Sequence, residues 1–408
     1  MTTEPQEVEI VGLGAQGDGI AKISARDIHV PFALPGEVWR LGGGVLPEML
    51  RAHPERAVPV CQHFGTCGGC VAQHMPDALY AEWKRSIVVQ AFRHRGIEAP
   101  VGDLLRVPLG SRRRITVYAR RDRNSLRLGF HRAASHDVLD VAQCPIAMPR
   151  LVGLLPALRE MLGPMLTGRA EAAITLLATP AGIDVSLRCS HLGSARRHAP
   201  RLATLAARHG LARLTVDGDT VMVGRPPALA FGGAETVPPP GAFVQAVEVS
   251  EALMVRLAVT ATEKAKRVAD LFCGLGTFTF PLARRARVLA VDSDAEAIAA
   301  LTAAAKHAPG LKPIETKVRD LYRMPLAAKE LDGFDAVVFD PARSGAQAQA
   351  EQLALSKVAT IVAVSCNPGT LSRDVRILID GGYALESVTP IDQFLYAAHV
   401  EAVAVLRR

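Results

Sequence analysis

No apolar run in this chain approaches the ~18 residues that a bilayer-spanning helix needs. The longest candidate, around Leu151 to Met165, is broken by Arg159 and Glu160. The opening Met1-Thr2-Thr3-Glu4-Pro5 lacks the basic-then-apolar pattern of a secretion signal, so a soluble cytoplasmic protein is expected. The seven cysteines are an odd number, and without a secretion signal they argue against a disulfide framework. Internal repeats and low-complexity tracts are also missing. Charged residues are only 21% against 49% apolar, which excludes a disordered chain and leaves a globular one. At 408 residues, two or three domains fit, with substantial cores.

Acids are scarce where arginine is dense. The net charge of +7 is a mild bias toward polyanions. Between Arg106 and Arg132 stand nine arginines (106, 112, 113, 114, 120, 121, 123, 127 and 132) and one acid, Asp122. Such a run is commonly a solvated face. Here Ile115, Val117, Leu126, Leu128 and Phe130 interleave with it, and Asp122 to Ser125 supplies turn residues. The pattern predicts a twisted hairpin with one arginine-studded face, able to meet phosphates.

Three regions separate by composition. Residues 1–55 hold short β-like runs (Val8 to Val11, Ile28 to Pro31) divided by glycines, which reads as a small β-barrel left through Gly42-Gly43-Gly44. Residues 56–235 read as a mixed α+β domain, with the cysteine cluster, the arginine hairpin and helices near Leu79 to His94 and Arg150 to Leu166. Pro226-Pro227 and Pro238-Pro239-Pro240 bracket a linker. Over 236–408, strand-like segments (Arg267 to Phe272, Arg287 to Val291, Ala336 to Phe339, Thr360 to Val364) alternate with helical ones such as Ala295 to Lys306. That alternation predicts an α/β domain with a parallel sheet and right-handed crossovers. His399 to Leu406 reads as an edge hairpin partner.

The motifs gather where those strands end. Thr360 to Val364 delivers Ser365-Cys366-Asn367-Pro368 into a turn, and ligands of open α/β sheets lie beyond the carboxyl ends of the strands. Cys366 is there as a small hydrophobe capping the sheet or as a nucleophile. Asp270-Leu271-Phe272-Cys273-Gly274-Leu275-Gly276-Thr277 puts two glycines at a strand-to-helix turn, where backbone can approach a ligand. Asp292, ending the next strand, can accept hydrogen bonds from ribose hydroxyls. The pair suits NAD or S-adenosylmethionine. Thr279 stands where a dinucleotide fingerprint has its third glycine, which tilts the reading toward the methyl donor. Asp340-Pro341-Ala342-Arg343 ends a third strand at the same crevice. Glu401, followed by Val403, Val405 and Leu406, is an edge-strand acid facing water or a carboxylate whose apolar setting makes it a base.

Cys61, Cys67 and Cys70 lie on one loop, with Cys144-Pro145 after the hairpin. Four thiolates suit zinc or an iron–sulfur cluster, and the long gap to the fourth is awkward for a compact zinc ribbon. Cys189 and Cys273 read as packing residues.

The C-terminal region closely resembles the RNA 5-methyluridine methyltransferases. The carrying motifs are Asp270-Leu-Phe-Cys-Gly-Leu-Gly-Thr, Asp340-Pro-Ala-Arg, Ser365-Cys-Asn-Pro-Gly-Thr-Leu-Ser-Arg-Asp, His399-Val-Glu401 and Phe243-Val244-Gln245. The N-terminal residues resemble the TRAM domain, a small RNA-binding barrel. The resemblance implies a Rossmann-like S-adenosylmethionine-dependent methyltransferase fold. It implies a covalent Cys366 adduct at carbon 6 of uracil, methyl transfer to carbon 5, and Glu401 as the base that removes the carbon 5 proton. By similarity Gln245, Phe272, Gly274, Gly276, Thr277, Asp292, Asp320 and Asp340 line the cofactor and base pocket, and Cys61, Cys67, Cys70 and Cys144 hold a 4Fe–4S cluster. Large-subunit ribosomal RNA is the expected substrate and a monomer the expected state. The alternatives are a transfer-RNA enzyme, a non-catalytic RNA-binding iron–sulfur protein, and a nicotinamide-dependent redox protein. Three positions depart from the family: Val247 and Thr277 replace asparagines, and Phe394-Leu395-Tyr396-Ala397 replaces Phe-Pro-x-Thr.

Overall fold

The computed structural model describes residues 5–24, 26–42, 46–122, 125–166, 170–189 and 195–408. The expectations for the extreme N-terminus, Gly43-Gly44, Arg123 and the tip of the arginine hairpin fall largely outside them.

The C-terminal sheet positions the site. Its seven strands run in the order Ile314–Val318, Arg287–Asp292, Arg267–Leu271, Ala336–Phe339, Thr360–Ser365, Glu401–Arg407, Ala384–Ile391. The first five are parallel, and the last two are antiparallel to their neighbours. Ala336–Phe339 and Thr360–Ser365 are buried throughout, as strands covered on both faces must be. Period-two alternation divides their side chains. Val337, Phe339, Ile361 and Ala363 join the core beneath helices Gln347–Ala354 and Pro368–Asp380. Val338, Val362 and Val364 join the opposite core with Met254 and Ala258 of helix Glu248–Ala261.

The last strand corrects one expectation. Glu401–Arg407 is not an edge; it lies between Thr360–Ser365 and the true edge strand Ala384–Ile391. That edge strand escapes sequence reading because Glu386 and Pro390 interrupt its apolar pattern, a composition edges tolerate.

Two pieces of the chain lie elsewhere than their sequence neighbours suggest. Helix Asp77–Arg93 sends Val88 and Phe92 into the core of the C-terminal sheet, and Val101 and Leu105 bridge to Val388 and Ile391 on its edge. Between the two proline clusters lies a hairpin, Leu229–Phe231 with Ala234–Thr236, rather than a bare linker. Leu229, Phe231 and Ala234 pack with Ala297, Ile298 and Leu301 of helix Ala295–His307.

The central sheet also has seven strands, with the arginine hairpin Arg114–Asp122 and Ser125–His131 between the middle strand Glu171–Thr179 and the edge strand Val138–Asp140. The helix expected over 150–166 is two, Pro149–Gly153 and Leu155–Leu162, because Pro156 has no N–H to continue the first. The hairpin's arginines are not one phosphate-facing surface. Arg113 is buried on Gln245 and Glu251, and Arg121 donates to the Leu166 and Gly163 carbonyls. Arg120 pairs with Glu171 at 3.3 Å. A guanidinium's forked donors satisfy interior carbonyls as readily as phosphates.

The N-terminal sheet has five antiparallel strands, its edges Arg26–Val30 and Glu48–Arg51 not paired to one another. Gln6–Leu13 is shared, its first half pairing Val38–Leu41 and its second half Gly19–Ala21, over a core of Val8, Ile10, Ala21, Val30 and Trp39. Among the described residues no helix is long and apolar enough to cross a membrane.

Candidate active site

The turn bearing Cys366 is rigidly built. Asn367 caps helix Pro368–Asp380 by accepting from the Gly369 amide at 3.0 Å, and Pro368, with no N–H to satisfy, opens the first turn. Ser365 Oγ accepts from the Asn367 amide at 3.1 Å. Asn367 Nδ2 and Thr370 Oγ1 donate to the Arg343 carbonyl at 3.1 and 3.2 Å. The Cys366 turn and the Asp340-Pro341-Ala342-Arg343 loop are thereby locked together.

Ser365 pairs with Ala402, so the next residues along, Cys366 and Glu401, are neighbours across the ends of antiparallel strands. Glu401 is 2% exposed and accepts from Gln393 Nε2 at 2.9 Å. Burial, with repulsion from Asp340 added, holds its carboxyl well above the ordinary range, and only the Gln393 bond opposes them. Burial, then the charges of Glu401 and Asp340, push the Cys366 thiol up to about 11; the Arg343 guanidinium, hydrogen-bonded to it, pulls the other way. Arg343 Nη2 also donates to His399 Nε2 at 2.5 Å.

Asp340 follows a strand flanked by Arg267–Leu271 and Thr360–Ser365, which sets it between the glycine turn and Cys366. It accepts from Gln245 Nε2 at 2.8 Å, and burial raises its carboxyl to about 7. Across the crevice, Gly274 and Gly276 adopt φ of +51° and +96°. A Cβ on Gly276 would stand 2.5 Å from Phe280 Cε2, so only glycine fits there. Phe272 itself has φ +59° and sets its ring 5.2 Å from that of Tyr322. Asp292 accepts from the Gly274 amide at 2.9 Å, fixing the turn to the second strand. Asp320 accepts from the Tyr322 amide at 3.0 Å and aims that ring. Thr279, in the third-glycine position, donates to buried Asp270 at 2.5 Å. Thr277 is half-buried in the same turn.

Residues 238–408 match the family model described as tRNA (Uracil-5-)-methyltransferase. An "Uncharacterized RNA methyltransferase" of Rhizobium meliloti (strain 1021) is 45% identical over 98% of this chain and 99% of that one. A "23S rRNA (uracil(1939)-C(5))-methyltransferase" of Cronobacter sakazakii is 32% identical over 100% of this chain and 97% of its own length. This chain belongs to the RNA uracil-5-methyltransferase family. Its fold matches the crystal structure of the Pyrococcus abyssi tRNA (uracil-54, C5)-methyltransferase in complex with S-adenosyl-L-homocysteine. That match has a TM-score of 0.76 at 22% identity, covering 98% of this chain and 99% of that one.

Within this S-adenosylmethionine-dependent uracil-5-methyltransferase, the crevice gathers Gln245, Phe272, Gly274, Asp292, Asp340, Cys366 and Glu401 at the strand ends, with Asp320 reaching it through Tyr322. Sequence reasoning missed Gln393 and Tyr322 as site residues and gave Arg343 and His399 no role beyond their motifs. Gln393 sits two residues after the end of a strand the alternation did not reveal. Only its nearness to Glu401 in sequence could have flagged it.

Cys61, Cys67, Cys70 and Cys144 line one cavity of about 290 Å³ with Arg112, Arg114 and Leu395. Burial, opposed by nearby amides, raises the Cys67 and Cys144 thiols, and burial with the neighbouring sulfurs drives Cys70 up to about 12. Among the described residues no three His, Cys, Asp or Glu close on a single metal ion. Cys189 and Cys273 stand apart from the quartet, half-buried and buried respectively.

Proposed function

We propose that this enzyme methylates carbon 5 of a specific uridine in large-subunit ribosomal RNA, with Cys366 as nucleophile and Glu401 as base. The observation carrying this reading is the cross-strand adjacency of Cys366 and Glu401 beside Asp340. The likeness to the Cronobacter 23S rRNA enzyme favours ribosomal over transfer RNA.

The Cys366 thiolate adds to carbon 6, and the electron pair of the carbon 5–carbon 6 double bond moves onto carbon 5 and oxygen 4. Gln245, Phe272, Gly274, Gly276, Thr277, Asp292, Asp320 and Asp340 would hold S-adenosylmethionine, which would supply an electrophilic methyl to carbon 5, the methyl–sulfonium bonding pair leaving on S-adenosylhomocysteine. Glu401 then takes the carbon 5 proton, the released pair restores the double bond, and the carbon 6–sulfur pair returns to Cys366. Arg343 stabilises the thiolate at both ends of this sequence. The donor set of the cysteine quartet, four soft sulfurs lining one cavity, suits an iron–sulfur cluster. A 4Fe–4S cluster on Cys61, Cys67, Cys70 and Cys144 would serve as a clamp, because methyl transfer needs no electron. Residues 1–55 act as a TRAM-like RNA-binding unit, 56–235 as the cluster and RNA-binding unit, and 236–408 as the catalytic domain.

RNA carrying 5-fluorouridine tests the mechanism. Fluorine cannot leave carbon 5 as a proton, so the enzyme should stall as a covalent RNA adduct on Cys366. Turnover by Cys366→Ala would falsify the assignment. Competition between a 23S rRNA fragment and a transfer RNA separates the two substrates.

A further inference from the structure

Between Asp340 and Glu401 runs a buried chain of amides whose polarity is fixed from one end. An ionised Asp340 only accepts, so in that form it requires Gln245 to present Nε2, at 2.8 Å. Gln245 Oε1 must then face Gln393, which presents its own Nε2 at 2.8 Å. The same Nε2 donates to Glu401 Oε2 at 2.9 Å. The orientation leaves Gln393 Oε1 buried without a partner. A free amide would rotate to relieve that cost, but rotation here would set oxygen against both Gln245 Oε1 and the Glu401 carboxylate.

Resting on the function proposed above, we propose that Gln393 is a positioning residue for the catalytic base. It is locked through Gln245 so that Glu401 always meets an N–H, which favours the carboxylate form a base requires. The charges around Glu401 leave this task to Gln393. Asp340 and Cys366 face it and, when ionised, disfavour its charge. Cations on neighbouring elements are engaged elsewhere: Lys84 with Asp392 at 2.8 Å, Arg113 with Glu251 at 2.8 Å, Arg343 with Cys366 and His399.

The test is Gln393→Met, which keeps the side-chain length and removes the N–H. Adduct formation on 5-fluorouridine RNA needs no base, so it should proceed at the wild-type rate. Turnover of ordinary RNA should fall about tenfold at pH 7 and recover as pH rises, because losing a hydrogen bond to the carboxylate raises the pH at which Glu401 ionises. Equal losses in adduct formation and turnover, or an unmoved pH profile, overturn the proposal. Gln393→Glu is the second variant: a carboxylate facing Glu401 should deepen the turnover defect while S-adenosylhomocysteine still binds, and wild-type turnover overturns the proposal. Absence of an adduct with the wild-type enzyme would instead strike the mechanism on which the proposal rests.

Discussion

Cys366 and the quartet Cys61, Cys67, Cys70 and Cys144 are the same side chain in two settings. Burial raises Cys366 and three of the four quartet thiols, so desolvation does not distinguish them. Their partners do. Cys366 has a guanidinium on one side, a carboxylate on the other, and a rigid turn that presents it at the strand ends. The quartet thiols meet backbone amides, Gln73 and one another around a shared cavity that Arg112 also lines. A thiol with a guanidinium and a carboxylate beside it fits the bond-making proposed for Cys366; thiols around one cavity fit the shared cluster proposed for the quartet. One loop joins the two settings. Val71 and Ala72 donate to the Tyr396 carbonyl at 2.8 and 3.2 Å, Leu395 lines the quartet's cavity, and Gln393 reaches Glu401.

Substitutions should separate the settings by size of effect. Cys366→Ala removes the proposed nucleophile, and methyl incorporation into RNA should fall at least ~1000-fold while the chain keeps its thermal midpoint. Unchanged incorporation would erase the distinction. Glu401→Gln should lower turnover by roughly 100- to 10,000-fold, again without loss of folding, as followed by the rate of methyl transfer. Cys70→Ala acts on the other setting. Wild-type protein prepared without oxygen should carry about four iron atoms per chain and the variant far fewer, by iron analysis and visible absorption. Its methylation should suffer less than that of Cys366→Ala. Lys84→Met tests the connecting loop: it removes the cation paired with buried Asp392 and leaves it the Tyr80 hydroxyl at 2.6 Å, which should cost about 3–5 kcal/mol in chemical denaturation.

Most of the catalytic strands were legible because two-sided burial leaves near-continuous apolar runs. Ala336–Phe339 and Thr360–Ser365 fall where those runs are, and the ends of the latter and of Glu401–Arg407 shift by a residue or two. Ala384–Ile391 was not legible, since an edge strand with Glu386 and Pro390 carries no such run. Without it, the strand bearing Glu401 looked like the edge and Glu401 looked half-wet. The arginine hairpin was legible as a hairpin but not in its purpose. Spacing cannot tell a guanidinium facing solvent from Arg113, whose partners Gln245 and Glu251 lie more than a hundred residues away. The same holds for the Gln245 partner of Gln393, 148 residues away.

The most direct test of a shared site for Cys366 and Glu401 is mass spectrometry of Glu401→Gln after incubation with ordinary uridine RNA and S-adenosylmethionine. Thiol addition and methyl transfer should proceed and proton removal should fail, so a methylated RNA fragment should accumulate attached to Cys366. Undiminished turnover with no attached RNA would contradict the account.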